Sequence, residues 1–107
     1  MEIYQDIASF TSSKAWGARD IAKIEGATVR LHWTNEPYIW HKNDGKEVFV
    51  VLDGQVEMKY KIQGQEHSVH LNKSDIFTAD VGDEHVAHPI GEARILVIEK
   101  ELSLIHI

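Results

Sequence analysis

Turn-forming residues interrupt this chain so often that long helices have no room. Tight-bend signals stand at Glu25-Gly26, Asn35-Glu36-Pro37, Asn43-Asp44-Gly45, Asp53-Gly54, Gln63-Gly64, Asn72-Lys73, Val81-Gly82-Asp83 and Gly91-Glu92. Between them lie segments of about five to eight residues, the spacing of an all-β sandwich or barrel. The stretch 27–33 alternates cleanly, with Val29, Leu31 and Trp33 on one face and Arg30 and His32 on the other. Only the first 18 residues allow a helix: Ile7 and Phe10 are three apart, and Ser12-Ser13 could cap a turn running through Trp16.

The segment 46–62 constrains the core most. Asp53-Gly54 between two apolar runs predicts a two-residue hairpin, because both turn residues tolerate positive φ. In that register Val51 faces Val56, Phe49 faces Met58, and Glu47 faces Tyr60. One face then carries Glu47, Phe49, Val51, Val56, Met58 and Tyr60, so a carboxylate sits on a core face. An isolated buried charge is very costly, so Glu47 must be hydrogen-bonded, paired, protonated or bound to a cation. Tyr60 hydroxyl, or water at a barrel mouth, would satisfy it without any special chemistry. The opposite face carries Val48, Val50 and Leu52, an apolar stripe suited to packing on another sheet or subunit.

Composition narrows the function. The 107 residues suit one domain, taken as 1–107 with a barrel core at about 19–101. Seventeen acidic residues against eleven basic ones leave a formal charge of -6, and the basic residues are scattered. That balance disfavours a grip on phosphate backbones, so no nucleic-acid partner is expected. The longest apolar run, 48–52, is far short of the roughly 20 residues that cross a bilayer, so no membrane partner is expected either. Without a basic stretch and apolar block near Met1, the expectation is a cytoplasmic protein. Cysteine is absent, which removes disulfides, thiolate metal sites and Cys nucleophiles.

Histidine is over-represented: five of the seven, His41, His67, His70, His85 and His88, fall within one 48-residue stretch. In an extended segment His41 and Asn43 project to the same side, and Glu47 can return to it after the Asp44-Gly45 turn. Downstream, Gly82-Asp83-Glu84-His85 supplies another imidazole after a tight turn. Imidazoles and a carboxylate converging inside a barrel are ligands for Zn, Fe, Ni, Mn or Cu. His88 lies three residues past His85 and points to the opposite face. His67 and His70 read as solvated strand residues, and His106 as incidental. Trp33, Tyr38 and Trp40 read as core aromatics in preference to pocket walls. Asn72-Lys73-Ser74 matches a glycosylation sequon but carries no meaning without export.

The pattern His41-x-Asn43-x3-Glu47-x6-Gly54 resembles the first cupin motif, with Asn43 in place of the usual second His. Ser74-x5-Asp80-x-Gly82-x2-His85 resembles the second, with Ser74 and Asp80 in the usual Gly and Pro positions. The likeness to small single-domain cupins covers roughly residues 19 to 100. It implies a double-stranded β-helix (jelly-roll) barrel with strands near 19–24, 27–34, 38–41, 46–53, 55–62, 66–71, 75–79, 85–88 and 93–101. It also implies a divalent transition metal (Zn, Fe, Ni or Mn) on His41, Glu47 and His85, with Asn43 at the remaining ligand position. Small cupins generally pair through exposed sheet, so a homodimer is expected, with the Val48-Val50-Leu52 stripe and the tail 102–107 as interface material. The expected activity is that of a metal-binding cupin holding a small polar or anionic ligand, as an isomerase or epimerase or as a non-haem dioxygenase. The alternative is a non-catalytic binding or sensor module with a degenerate, metal-free site, which the Asn at position 43 favours.

Overall fold

The computed structural model describes residues 1–101. Seven strands, all antiparallel, appear among them: β1 (Gly17–Ile24), β2 (Ala27–Thr34), β3 (His41–Lys42), β4 (Glu47–Ile62), β5 (Gln65–Leu71), β6 (Ile76–Ala79) and β7 (Glu84–Lys100). The expected tail interface at 102–107 lies outside the described residues. No helix among the described residues is long and apolar enough to cross a membrane.

β4 and β7 pair along their whole lengths and organise everything else. Their outer halves join β2, β1 and β6 in one sheet, while the other halves join β3 and β5 in a second. Two sheets sharing two bent strands make the jelly roll that the cupin resemblance implied. The inner faces meet in a core of Phe49, Val51, Val56, Met58, Leu71, Ala87, Ala93, Ile95 and Val97, all buried. Each fully buried Val, Ile or Met side chain there contributes about 1.5–3 kcal/mol of transfer free energy.

The expected hairpin at Asp53-Gly54 does not form. β4 runs straight through it, and the extra residue is absorbed as a bulge against β7 between Val51 and Asp53. The positive φ of Gly54, 82°, serves this bend instead of a turn. A Cβ at Gly54 would collide with the Glu92 carbonyl oxygen, so the two strands approach here as only glycine permits. β7 likewise continues through Gly91 (φ 72°), merging the two expected strands 85–88 and 93–101. Arg94 locks the corner: Nη1 reaches Asp53 Oδ2 at 3.1 Å, and Nε donates to the Phe10 carbonyl at 2.8 Å. The core face nonetheless carries Glu47, Phe49, Val51, Val56 and Met58, since a bulge changes the alternation phase as a hairpin would.

Real two-residue turns occur at Glu25-Gly26 (φ 49° and 79°) and Gln63-Gly64 (φ 50° and 79°), joining β1 to β2 and β4 to β5. The N-terminal helix shrinks to one 3-10 turn, Ile7–Ser9, upstream of the Ser12-Ser13 pair. Trp16 cannot extend it, since its φ is 61°. β3 is shorter than the expected 38–41 strand and begins where that was to end. The Val48-Val50-Leu52 stripe lies half-buried on the outer side of its sheet, with Ile76 opposite Val50 left 62% exposed.

Candidate metal centre

Antiparallel register brings the motif residues together. His41 on β3 lies opposite His85 on β7, with ring centroids 4.3 Å apart. Glu47 opens β4 and faces them from the other sheet, opposite Ala79 and Glu99. Backbone bonds fasten the two motif loops to each other: Asn43 N–H donates to Asp83 O at 2.9 Å, and Gly82 N–H to Asn43 O at 2.8 Å. Candidate ligand atoms of His41, Glu47 and His85 all lie within 4.8 Å of one another. Donors bonded to one ion at about 2.0–2.2 Å cannot be more than about 4.4 Å apart, so the cluster is within a few tenths of an ångström of enclosing one.

Hydrogen bonds orient these donors. His41 Nδ1 donates to the Ile39 carbonyl at 3.2 Å, which turns its Nε2 side toward the cluster. His85 Nε2 lies 3.0 Å from Glu47 Oε1 and 2.9 Å from Asn43 Oδ1, and so carries the proton in this arrangement. Asn43 Nδ2 donates to Gly45 O at 3.2 Å and to Glu47 Oε1 at 3.3 Å, which fixes the amide with its oxygen toward His85. His85 Nδ1 is buried without a partner among the described residues, none of which holds this ring in a single tautomer from behind.

Burial pushes the Glu47 carboxyl up, but the His85 hydrogen bond and charge, the Asn43 amide and His41 together outweigh it. The net result is a carboxyl below its ordinary value of 4.5. The anion demanded by a metal ligand is therefore already the favoured form. Tyr60 is not its partner: that ring pairs in register with His85 and stacks on His67 at 5.6 Å.

Other candidates separate as the alternation dictates. His67 and His70 are exposed, and His88 is half-buried opposite Glu57. Trp33 is buried as expected for a core aromatic. Tyr38 instead lines the pocket above the cluster, and Trp40 lies outside with the Lys61 ammonium 4.7 Å over its ring.

That pocket, about 420 Å³, is walled by Trp16, Tyr38, Ile39, Phe49, Ala87 and Val97, with His41, Glu47 and His85 among its lining. Its volume falls in the usual range for small-molecule sites. Arg30 and His32 on β2 also line it. The polar face of β2 thus points inward, while the N-terminal segment covers Leu31 on the other side. Alternation reveals two faces without saying which is inside, so the sequence did not single out His32.

No protein-family model matches the sequence, and no curated protein does. Solved structures do. A cupin-2 domain protein from Shewanella frigidimarina superposes with a TM-score of 0.75 at 24% identity, over 89% of this chain and 88% of its own. The fold is that of a small cupin domain. A cupin superfamily protein from Desulfitobacterium hafniense superposes on this chain at 0.75 and 12% identity, over 92% of this chain and 90% of that one. Hydroquinone 1,2-dioxygenase in complex with Fe3+ also superposes at 0.75, with 13% identity over 85% of this chain but only 29% of the dioxygenase.

Burial holds the His32 ring below its ordinary value of 6.5, although the Trp16 carbonyl works against the shift. A lowered His value means that stability is present above the unfolded value and is lost as pH falls through the folded one. Wild-type Tm should therefore fall between about pH 7 and about pH 5, and His32→Gln should shrink that fall. Melting curves across the range check this; an identical profile in the variant assigns the acid sensitivity elsewhere.

Proposed function

We propose that this protein is a single-domain, metal-binding cupin that holds a small polar or anionic molecule in the pocket beside its metal. His41, Glu47 and His85 would hold a divalent transition metal (Zn, Fe, Ni or Mn), the ion displacing the proton that His85 Nε2 shares with Glu47 and Asn43, with the Asn43 amide oxygen adjacent as a fourth donor. The observation that carries this reading is the convergence of two imidazoles and an anionic carboxylate within 4.8 Å at the base of a mostly apolar pocket. Two His and one carboxylate with open positions suit Fe(II) oxygenase chemistry and also bind Zn, Mn or Ni. A bound ion would supply Lewis acidity to a ligand oxygen, to water or to O₂. The chain's own residues do the rest: Glu47 stays ionised, His41 keeps its tautomer through Ile39, and the pocket's aromatic walls give a ligand an apolar surface to lie against. An isomerase or epimerase of a small sugar-like substrate and a dioxygenase both use such a site; the iron-bearing dioxygenase among the similar structures favours the second. The reading includes a cytoplasmic homodimer paired through the Val48-Val50-Leu52 face.

A second reading rests on Asn43. Its amide bridges Glu47 and His85 without any ion, as a degenerate barrel that binds a small molecule without catalysis would require. Metal analysis of tag-free protein by mass spectrometry, with reconstitution, separates the two. Near-stoichiometric uptake supports the metal centre, and refusal of added metal moves the protein to the binding-module class. Asn43→His should tighten metal at least about tenfold, near 1.4 kcal/mol, because imidazole is the stronger donor to Zn or Fe. Unchanged affinity in a chelator competition would place the amide away from the ion.

A further inference from the structure

The pocket has a second polar pole besides the cluster. His32 Nδ1 lies 3.0 Å from the Trp16 carbonyl oxygen, and a carbonyl only accepts, so Nδ1 carries the proton. His32 Nε2 is then an unprotonated acceptor; it makes no hydrogen bond among the described residues and is not among the buried unpartnered atoms. The ring lines the pocket with Nε2 as its one available polar atom. Trp16 holds this tautomer from a left-handed φ of 61°, which is strained for a bulky residue. The strain is braced by its indole N–H, which donates to the Glu36 carbonyl at 2.9 Å. Such strain persists only where the surroundings over-determine it, and it marks functional sites often. The lining also includes Trp16, Tyr38 and Phe49, aromatic surfaces that favour a flat ligand, beside the charged Lys14, Arg30, Lys42, Asp44 and Glu99.

We propose that His32 is a hydrogen-bond acceptor of this pocket for a ligand hydroxyl, and that the ligand is a small aromatic hydroxy acid. Its hydroxyl donates to His32 Nε2, its ring lies against Trp16 and Phe49, and its carboxylate turns toward the His41–Glu47–His85 cluster. The carboxylate end rests on the metal reading above, since a divalent ion there outweighs the single charge of Glu47. The hydroxyl end rests on His32 and Trp16 alone. Burial, which keeps the ring neutral, supports the acceptor role.

The test titrates zinc-treated and metal-free protein with 3-hydroxybenzoate and 3-methoxybenzoate, following tryptophan fluorescence. Wild type should prefer the hydroxy acid by about tenfold, the loss expected for one hydrogen bond. His32→Phe should lose the preference, while His32→Gln, which returns an acceptor near the Nε2 position, should keep part of it. Melting curves identify any variant that fails to fold. Ring ¹⁵N shifts of wild-type His32 should report the Nδ1–H tautomer. An Nε2–H tautomer, an indifferent wild type, or an undiminished preference in His32→Phe would each overturn the proposal. Absence of bound zinc with the preference intact would overturn the metal reading and leave His32 in its role. Failure of wild type to bind either benzoate removes the ligand class.

Discussion

Glu47→Gln is expected to remove most of the thermal stabilisation that metal gives this protein while leaving the metal-free protein nearly unchanged. The asymmetry follows from the geometry. Without metal, Glu47 Oε1 accepts from Asn43 Nδ2 and from His85 Nε2, and a Gln oxygen can accept the same bonds. What the substitution deletes is the anion, which an ion needs and a hydrogen-bond donor does not. Partners that only orient ligands cost about 10–100-fold in metal affinity when lost, so deleting a ligand charge should cost at least about a hundredfold. At a free metal concentration near 100 times the wild-type Kd, binding stabilises the fold by about 2.7 kcal/mol. The variant, then near its own Kd, gains only about 0.4 kcal/mol. For a domain of this size the difference amounts to roughly 10–20 °C in Tm. Melting curves with metal and with chelator, beside metal content by mass spectrometry, check it. An equal metal-dependent rise in both proteins removes Glu47 from the site.

Much of that side-chain cluster could be read from spacing alone, and the reasons are local. His41 and Asn43 share a side because strands alternate every two residues, and the turn at Asp44-Gly45 returns Glu47 to them. The contact with His85 is non-local: it depends on the pairing of β3 with β7, which only the motif resemblance implied. His32 stayed hidden for another reason. Its strand showed an apolar and a polar face, and the apolar one, with Leu31 2% exposed, is buried as such faces usually are. It is buried, however, beneath the N-terminal segment on the barrel's outside, which leaves Arg30 and His32 to line the pocket. Fold class survived the strand errors because turn spacing and alternation define an antiparallel barrel whichever turns reverse the chain. The errors themselves share one cause. A glycine of positive φ can either reverse a strand or bend it, and long-range pairing decides between the two.

Gly54→Ala tests that decision, with Gly64→Ala beside it. Both glycines have nearly the same φ, 82° and 79°. The left-handed conformation therefore costs an alanine about 1–2 kcal/mol at either position. Their surroundings differ completely. Among the described residues nothing lies within 4 Å of a Cβ at Gly64, in the β4–β5 turn. A Cβ at Gly54 meets the Glu92 carbonyl oxygen and lies 3.0 Å from Ala93 Cα, both backbone atoms of the paired strand. Side chains can rotate away from a clash, but here β7 itself would have to move. That movement would pull on Ala93 and Arg94, both buried, and on the Arg94 bonds to Asp53 and Phe10. Overpacking of this kind costs a further 1–3 kcal/mol or so. Gly64→Ala should therefore lower Tm by roughly 5–10 °C and Gly54→Ala by about twice as much. Had Asp53-Gly54 formed an exposed hairpin turn, the two substitutions would be equivalent. Equal drops in Tm would restore the hairpin and dismantle the continuous β4 on which Glu47, Phe49 and Met58 are strung.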